Sequence, residues 1–240
     1  MNKLLMAAAL FATTAGAVEP AGPIVCQTPH IAYRTGDYAF QMFVPRGYTD
    51  DRRTRWPLMI FLHGSGERGT DVSVVAKWGP PAVVAKHPGT PMLIASPQLP
   101  EGDWDVAKLD RLLADLRRTY RVDDARIYLT GLSLGGMATW RWALAHPALF
   151  AAIAPVAAKT PTDAACTLKD LPIWALHGDR DEAVPVRGDF EMVEAVRACR
   201  GSVAPRLTVY PDTDHFSWVP AYDDPSLWRW IGEQRRVNSR

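Results

Sequence analysis

Six short runs of nearly unbroken apolar residues punctuate the chain: Trp56–Leu62, Met92–Ser96, Arg126–Thr130, Ala151–Val156, Ile173–Leu176 and Leu207–Tyr210. Successive side chains of a strand point to opposite faces. A run that is apolar throughout therefore reads as a strand covered on both sides, the usual condition of a parallel sheet. Helical spacings lie between the runs. In Asp105–Arg121, Leu109, Leu112, Leu113, Leu116 and Tyr120 share one face and charged residues occupy the other. Met137–Ala145, Phe190–Cys199 and Pro225–Arg236 are further helix candidates, the last preceded by Asp223 and Asp224, either of which can cap it. Strand and helix in alternation predict an α/β fold, a mostly parallel sheet with helices on both faces. Ala32–Val44, with Gly36-Asp37 at its centre, reads instead as an antiparallel hairpin at the N-terminal edge of that sheet.

A chain of 240 residues, 48% apolar and 22% charged, has the size and balance of one globular domain. Its 27 basic and 26 acidic residues leave almost no net charge, which points away from nucleic acid and anionic membranes as partners. The first residues differ. Lys3 precedes the apolar stretch Leu4–Ala15, and Ala15-Gly16-Ala17 offers the small side chains a signal peptidase accepts. Residues 1–17 are expected to be a signal peptide and 18–240 a single exported catalytic domain, secreted or periplasmic. The plainer alternative is an uncleaved N-terminal helix. Pro23-Ile24-Val25 before Cys26 lacks the small-residue pattern of a lipoprotein signal.

Gly131-Leu132-Ser133-Leu134-Gly135 stands between a strand candidate and a helix candidate. That context holds a serine on a strained turn with its hydroxyl exposed, whereas the bare pentapeptide can equally be a tight strand-to-helix turn. A serine needs a base, most often histidine. Of the six histidines only His177 and His215 follow Ser133, and only His215 has a strand-end carboxylate between itself and the serine. His215 is thus the expected base. Asp179, Asp181 and Glu182 in the loop after Ile173–Leu176 are the candidate acids, and some of them can instead cap the next helix or pair with Arg180 and Arg187. An oxyanion needs two N–H donors. Leu134 supplies one by position, and His63-Gly64-Ser65-Gly66 the other, with Ser65 first choice and Gly66 second. His63 itself reads as a structural hydrogen-bonder.

Leu62-His63-Gly64-Ser65-Gly66-Glu67-Arg68-Gly69, Gly131–Gly136, His177-Gly178-Asp179-Arg180-Asp181-Glu182-Ala183-Val184-Pro185 and His215-Phe216-Ser217-Trp218 together resemble the esterase branch of the α/β hydrolases. The nearest group is the secreted "predicted peptidase" or phospholipase/carboxylesterase-like family, with feruloyl-esterase-like and polyhydroxyalkanoate-depolymerase-like relatives. The resemblance runs from about Arg34 to Arg236. It implies the α/β-hydrolase fold, a serine esterase acting on small-molecule or polysaccharide-linked esters without cofactor or metal, and Asp181 as the acid. A peptidase of the same fold is the alternative.

Gly64-Ser65-Gly66-Glu67-Arg68-Gly69 also satisfies G-x-G-x-x-G, the pattern of a dinucleotide-binding oxidoreductase, but Met92–Ser96 runs into Pro97-Gln98 with no acidic residue for a ribose. A non-catalytic binding module is disfavoured because serine, acid and histidine are all present in order. Of nine tryptophans, Trp78, Trp104, Trp140 and Trp218 fall near sheet ends or the candidate loops. Core packing is their ordinary role, and Trp218, Trp104 and Trp78 are the candidates to contact substrate. Little room remains between Pro155 and Leu171 for a lid. Finally, a helix packed antiparallel on its preceding strand returns its end to that strand's start. Cys199 is thereby brought to Cys166 and a disulfide between them is expected, with Cys26 left over; three free thiols are the alternative.

Overall fold

A computed structural model describes residues 32–35, 38–48 and 52–236. The proposed signal segment, Cys26 and the Gly36-Asp37 turn lie outside them. Eight strands form one sheet: β1 (Ala32–Thr35), β2 (Tyr38–Phe43), β3 (Trp56–Leu62), β4 (Leu93–Pro97), β5 (Val122–Leu132), β6 (Ala152–Val156), β7 (Trp174–Gly178) and β8 (Arg206–Tyr210). Their spatial order is β1-β2-β4-β3-β5-β6-β7-β8. The expected hairpin is there, Thr35 opposite Tyr38, and β2 lies antiparallel on β4. Every other pairing is parallel.

Helices α2 (Val106–Thr119), α3 (Leu134–Ala145) and α4 (Arg187–Ala198) cover one face; α1 (Gly79–Lys86), α5 (Trp218–Asp223) and α6 (Pro225–Glu233) cover the other. The two cores explain the unbroken apolar runs. In β3, Leu58, Ile60 and Leu62 pack toward α2 and α3, while Met59 and Phe61 pack toward α1 and α5. Asp105 caps α2 by accepting from the Lys108 amide at 2.9 Å, and Asp224 caps α6 by accepting from the Ser226 amide at 2.8 Å.

Two expectations need correction. β8 is the far edge strand, paired on one side only, and Val209 in it is 41% exposed, so its apolar run is not covered on both faces. Helix α3 begins at Leu134, directly after the serine, and α4 at Arg187; both start earlier than the apolar spacing indicates. Helices α1 and α5 were not among the expected helices; each carries proline in its first turn, where it lacks only an amide that would go unpaired there. Cys166 and Cys199 form the expected disulfide, with Cα atoms 5.3 Å apart.

Candidate active site

All the candidate loops leave the C-terminal ends of strands, where parallel sheets build their sites. Ser133 follows β5 in a conformation rare for a side-chain-bearing residue, φ 52° and ψ −117°, and its amide donates to Val156 O at 2.9 Å. Such a turn stores about 1–3 kcal/mol of backbone strain and persists where the surroundings impose it. The packing that imposes it is close: a Cβ on Gly135 would stand 1.9 Å from Leu62 O. The loops after β7 and β8 are pressed together in the same way. A Cβ on Gly178 would meet Thr213 O at 2.2 Å, and the Arg180 amide donates to Thr213 O at 2.9 Å.

This contact carries His215 across to Ser133. Its Nε2 lies 2.9 Å from Ser133 Oγ and its Nδ1 2.7 Å from Asp181 Oδ2. Asp181 is buried and accepts at Nδ1, which fixes the tautomer and leaves Nε2 free to take the serine proton. The other oxygen, Oδ1, accepts the Ala183 and Val184 amides at 3.0 and 2.8 Å. Asp179 is exposed and accepts only the Thr213 amide at 3.2 Å; Glu182 points to solvent. The structure therefore brings Ser133, His215 and Asp181 together and leaves Asp179 and Glu182 apart. Asp181, not Asp179, is the carboxylate that also holds amides of its own turn.

Behind Asp181 lies a second imidazole that the sequence did not expose. His177 is fully buried, with Nδ1 2.8 Å from Asp189 Oδ2, Nε2 2.7 Å from Val184 O and 3.2 Å from Asp181 Oδ2. Both ring nitrogens face acceptors, so a proton is held between His177 and Asp189 in addition to the one on Nε2. Burial disfavours charge on the imidazole, but the hydrogen bond and charge of Asp189 outweigh it and hold His177 above its ordinary pKa. Burial also pushes the Asp189 carboxyl up. Asp189 further accepts the Trp140 indole at 2.8 Å and the Ala158 amide at 3.1 Å. Nothing in the sequence marks Asp189, which sits in the first turn of an ordinary amphipathic helix.

The loop after β3 is held from beneath. His63 donates from Nδ1 to Gly64 O at 2.7 Å and accepts the Leu99 amide at Nε2, 3.0 Å. Burial pushes its pKa down to about 4, so the imidazole is neutral and structural, as expected. The Gln98 side-chain amide donates to Glu67 O and Gly69 O, and Arg68 donates to Ser65 O and Gly102 O. Ser65 and Gly66 stand exposed at the rim, and Leu134 opens α3, where first-turn amides have no partner within the helix. The G-x-G-x-x-G run closes into the 3-10 turn Ser65–Glu67 and opens no α-helix, so it lacks the helix N-terminus that would hold a pyrophosphate.

The tryptophans divide. Trp104 is 4% exposed, donates its indole N–H to His63 O at 3.2 Å, and packs against Tyr38 and His63. It props the loop from behind, which corrects its expected place in the cleft. Trp218 stands edge-on to His215, ring centroids 5.1 Å apart. Trp78, half-buried, and Phe216, 49% exposed, complete an aromatic wall with it at 4.8–6.3 Å spacings. Phe216 had not been singled out, although it follows His215 directly.

The phospholipase/carboxylesterase family model matches residues 106–224. A Methylorubrum extorquens protein named as a carboxymethylenebutenolidase is 33% identical over 120 residues, 46% of this chain and 40% of that one. A bifunctional acetylxylan esterase/xylanase of Neocallimastix patriciarum is 27% identical over 178 residues, 68% of this chain and 26% of that one. The chain thus spans less than half the length of these curated relatives. Among solved structures, a thermostable esterase superposes with a TM-score of 0.73 at 29% identity, over 86% of this chain and 63% of that one. A ferulic acid esterase shares the fold, TM-score 0.62 at 19% identity, over 81% and 90%. Fold, matched model and esterase neighbours agree: the chain has the α/β-hydrolase fold and, over residues 106–224, is similar to the phospholipase/carboxylesterase family.

Proposed function

We propose that the protein is a serine esterase in which Ser133 is the nucleophile, His215 the general base and Asp181 the residue that orients and charges-balances His215. The observation that carries this reading is the single imidazole bridging Ser133 Oγ at 2.9 Å and Asp181 Oδ2 at 2.7 Å. Ser133 Oγ attacks the ester carbonyl as its proton passes to His215 Nε2. The tetrahedral oxyanion is met by the Leu134 amide and an amide of the β3 loop, Ser65 in first place and Gly66 in second. Collapse expels the alcohol, which takes the proton from His215. Water, deprotonated by the same nitrogen, then releases the acid and restores Ser133. Trp78 and Phe216, joined to His215 through the buried Trp218, offer an apolar surface suited to an acyl chain or ring.

Small-molecule or polysaccharide-linked esters are the proposed substrate class. The acetylxylan esterase relative supports it, and so does an aromatic wall beside His215. Residues 1–17 as an export signal and 18–240 as the mature domain complete the reading. The Cys166–Cys199 disulfide, a bond favoured in oxidising compartments, supports export. No helix among the described residues is long and apolar enough to cross a membrane. The test is kcat/KM on matched short-chain esters and amides with wild type and Ser133→Ala. Ester turnover well above amide turnover, abolished by the substitution, is expected. Faster amide cleavage by wild type would make the protein a peptidase instead.

A further inference from the structure

One acidic side chain in the candidate site has no task in the chemistry above. Glu67 ends the 3-10 turn of the β3 loop and is only 6% exposed, between exposed neighbours. Its main-chain oxygen is held by Gln98, yet its carboxylate has no hydrogen-bond or ion-pair partner among the described residues. The adjacent cation does not supply one, because Arg68 spends Nε on Ser65 O at 3.0 Å and a terminal nitrogen on Gly102 O at 3.1 Å.

The carboxylate lies near the nucleophile with Gly64 packed closely between them, its Cβ position only 2.8 Å from Leu132 Cδ1. The point where a Cβ on Gly64 would sit is 3.3 Å from Glu67 Oε2 and 3.5 Å from Ser133 Cβ. A carboxylate drawn out of water without a donor is unfavourable. One this near Ser133 also opposes the oxyanion that forms during ester attack. Both penalties lapse when a bound molecule places a donor on it. We propose that Glu67 is a specificity-determining residue that accepts a hydrogen bond from a hydroxyl carried by the ester substrate close to its scissile carbonyl. The class so selected is esters of polyols or sugars, or of hydroxy acids, over plain alkyl esters.

A hydroxyl fits better than an ammonium group. The Lys77 ammonium already stands over the Trp78 ring at 5.3 Å, Arg68 flanks Glu67 in the chain, and His215 becomes an imidazolium as the reaction proceeds. A cationic substrate would enter among three positive charges. A neutral donor meets the unpaired Glu67 carboxylate without that repulsion.

This inference rests on the esterase reading and is tested by ratios of kcat/KM within matched pairs. The pairs are glyceryl monobutyrate against propyl butyrate, methyl 3-hydroxybutyrate against methyl butyrate, and choline butyrate against 3,3-dimethylbutyl butyrate. Wild type should prefer the hydroxylated member of at least one neutral pair by about ten-fold or more, the scale of a hydrogen bond to a charged group. Glu67→Leu should bring that ratio close to one, and Glu67→Gln, which keeps shape and an acceptor but loses the charge, should leave an intermediate ratio. If Glu67→Leu does not fold, judged by its melting curve, the Glu67→Gln ratio decides. Ratios near one in wild type, a preference untouched by the substitutions, or a preference confined to the choline pair would each overturn the proposal. Hydrolysis that survives Ser133→Ala would instead defeat the esterase reading beneath it.

Discussion

Two imidazoles flank the Asp181 carboxylate, and they divide the work between chemistry and architecture. His215 is part-exposed and meets Ser133; His177 is sealed against Asp189 and Val184. On this geometry Asp181→Asn presents an amide to His215 Nδ1, favours the wrong tautomer, and should lower kcat on the order of ten-thousand-fold. Asp179→Asn keeps the acceptor that Thr213 uses and should cost less than about ten-fold, within the ordinary effect of an exposed change. Steady-state kinetics on both variants checks this, and a larger loss at Asp179 would reverse the assignment. The His177–Asp189 pair has a pH signature of its own. Its folded pKa is raised, so the folded protein keeps a proton that the unfolded chain releases above about pH 6.5. The stability it contributes is complete below that pH and is lost as pH rises through the folded value. The melting temperature of wild type should therefore fall more steeply than that of His177→Gln as pH rises above about 6.5; parallel slopes would contradict a retained proton.

At the scale of elements, the sequence was most legible where packing and local pattern agree. The four leucines of α2 and its Asp105 cap, the Asp224 cap of α6 and the edge hairpin all follow from spacing and turn chemistry. Asp224→Ala should cost about 1 kcal/mol, read as a shift in denaturation midpoint. What the sequence hid depends on partners distant along the chain. Trp104 has the surroundings of a cleft residue in sequence, but 41 residues away the His63 carbonyl claims its indole. Asp189 is one acidic residue among several in α4 until folding seals it against His177 and Trp140. The disulfide was legible because a strand followed by its covering helix fixes where both ends lie. It ties the 3-10 turn Ala165–Leu168 to the end of α4 across a separation of 33 residues. Cys166→Ala with Cys199→Ala should lower stability by roughly 3–4 kcal/mol on the loop-entropy account. A denaturation midpoint unchanged by the double substitution would contradict it.

Across the whole molecule, every proposed functional group leaves the C-terminal edge of one twisted sheet, and the two helical layers keep that edge fixed. Residues 157–173, between β6 and β7, hold only one 3-10 turn, so no helical lid stands over Ser133 there. Hydrolysis of a short-chain ester should accordingly rise smoothly through its solubility limit, and a jump at the onset of aggregates would show interfacial activation. Export predicts a mature N-terminus near Val18, checked by N-terminal sequencing of protein recovered outside the cytoplasm. Intact Met1 on that protein would exclude cleavage. The central claim is that Ser133 is a nucleophile made reactive by His215. Treatment with a fluorophosphonate probe followed by peptide mapping tests it most directly. The account predicts one covalent adduct, on Ser133, absent from Ser133→Ala and strongly slowed in His215→Ala. Labelling of Ser133→Ala equal to that of wild type would contradict it.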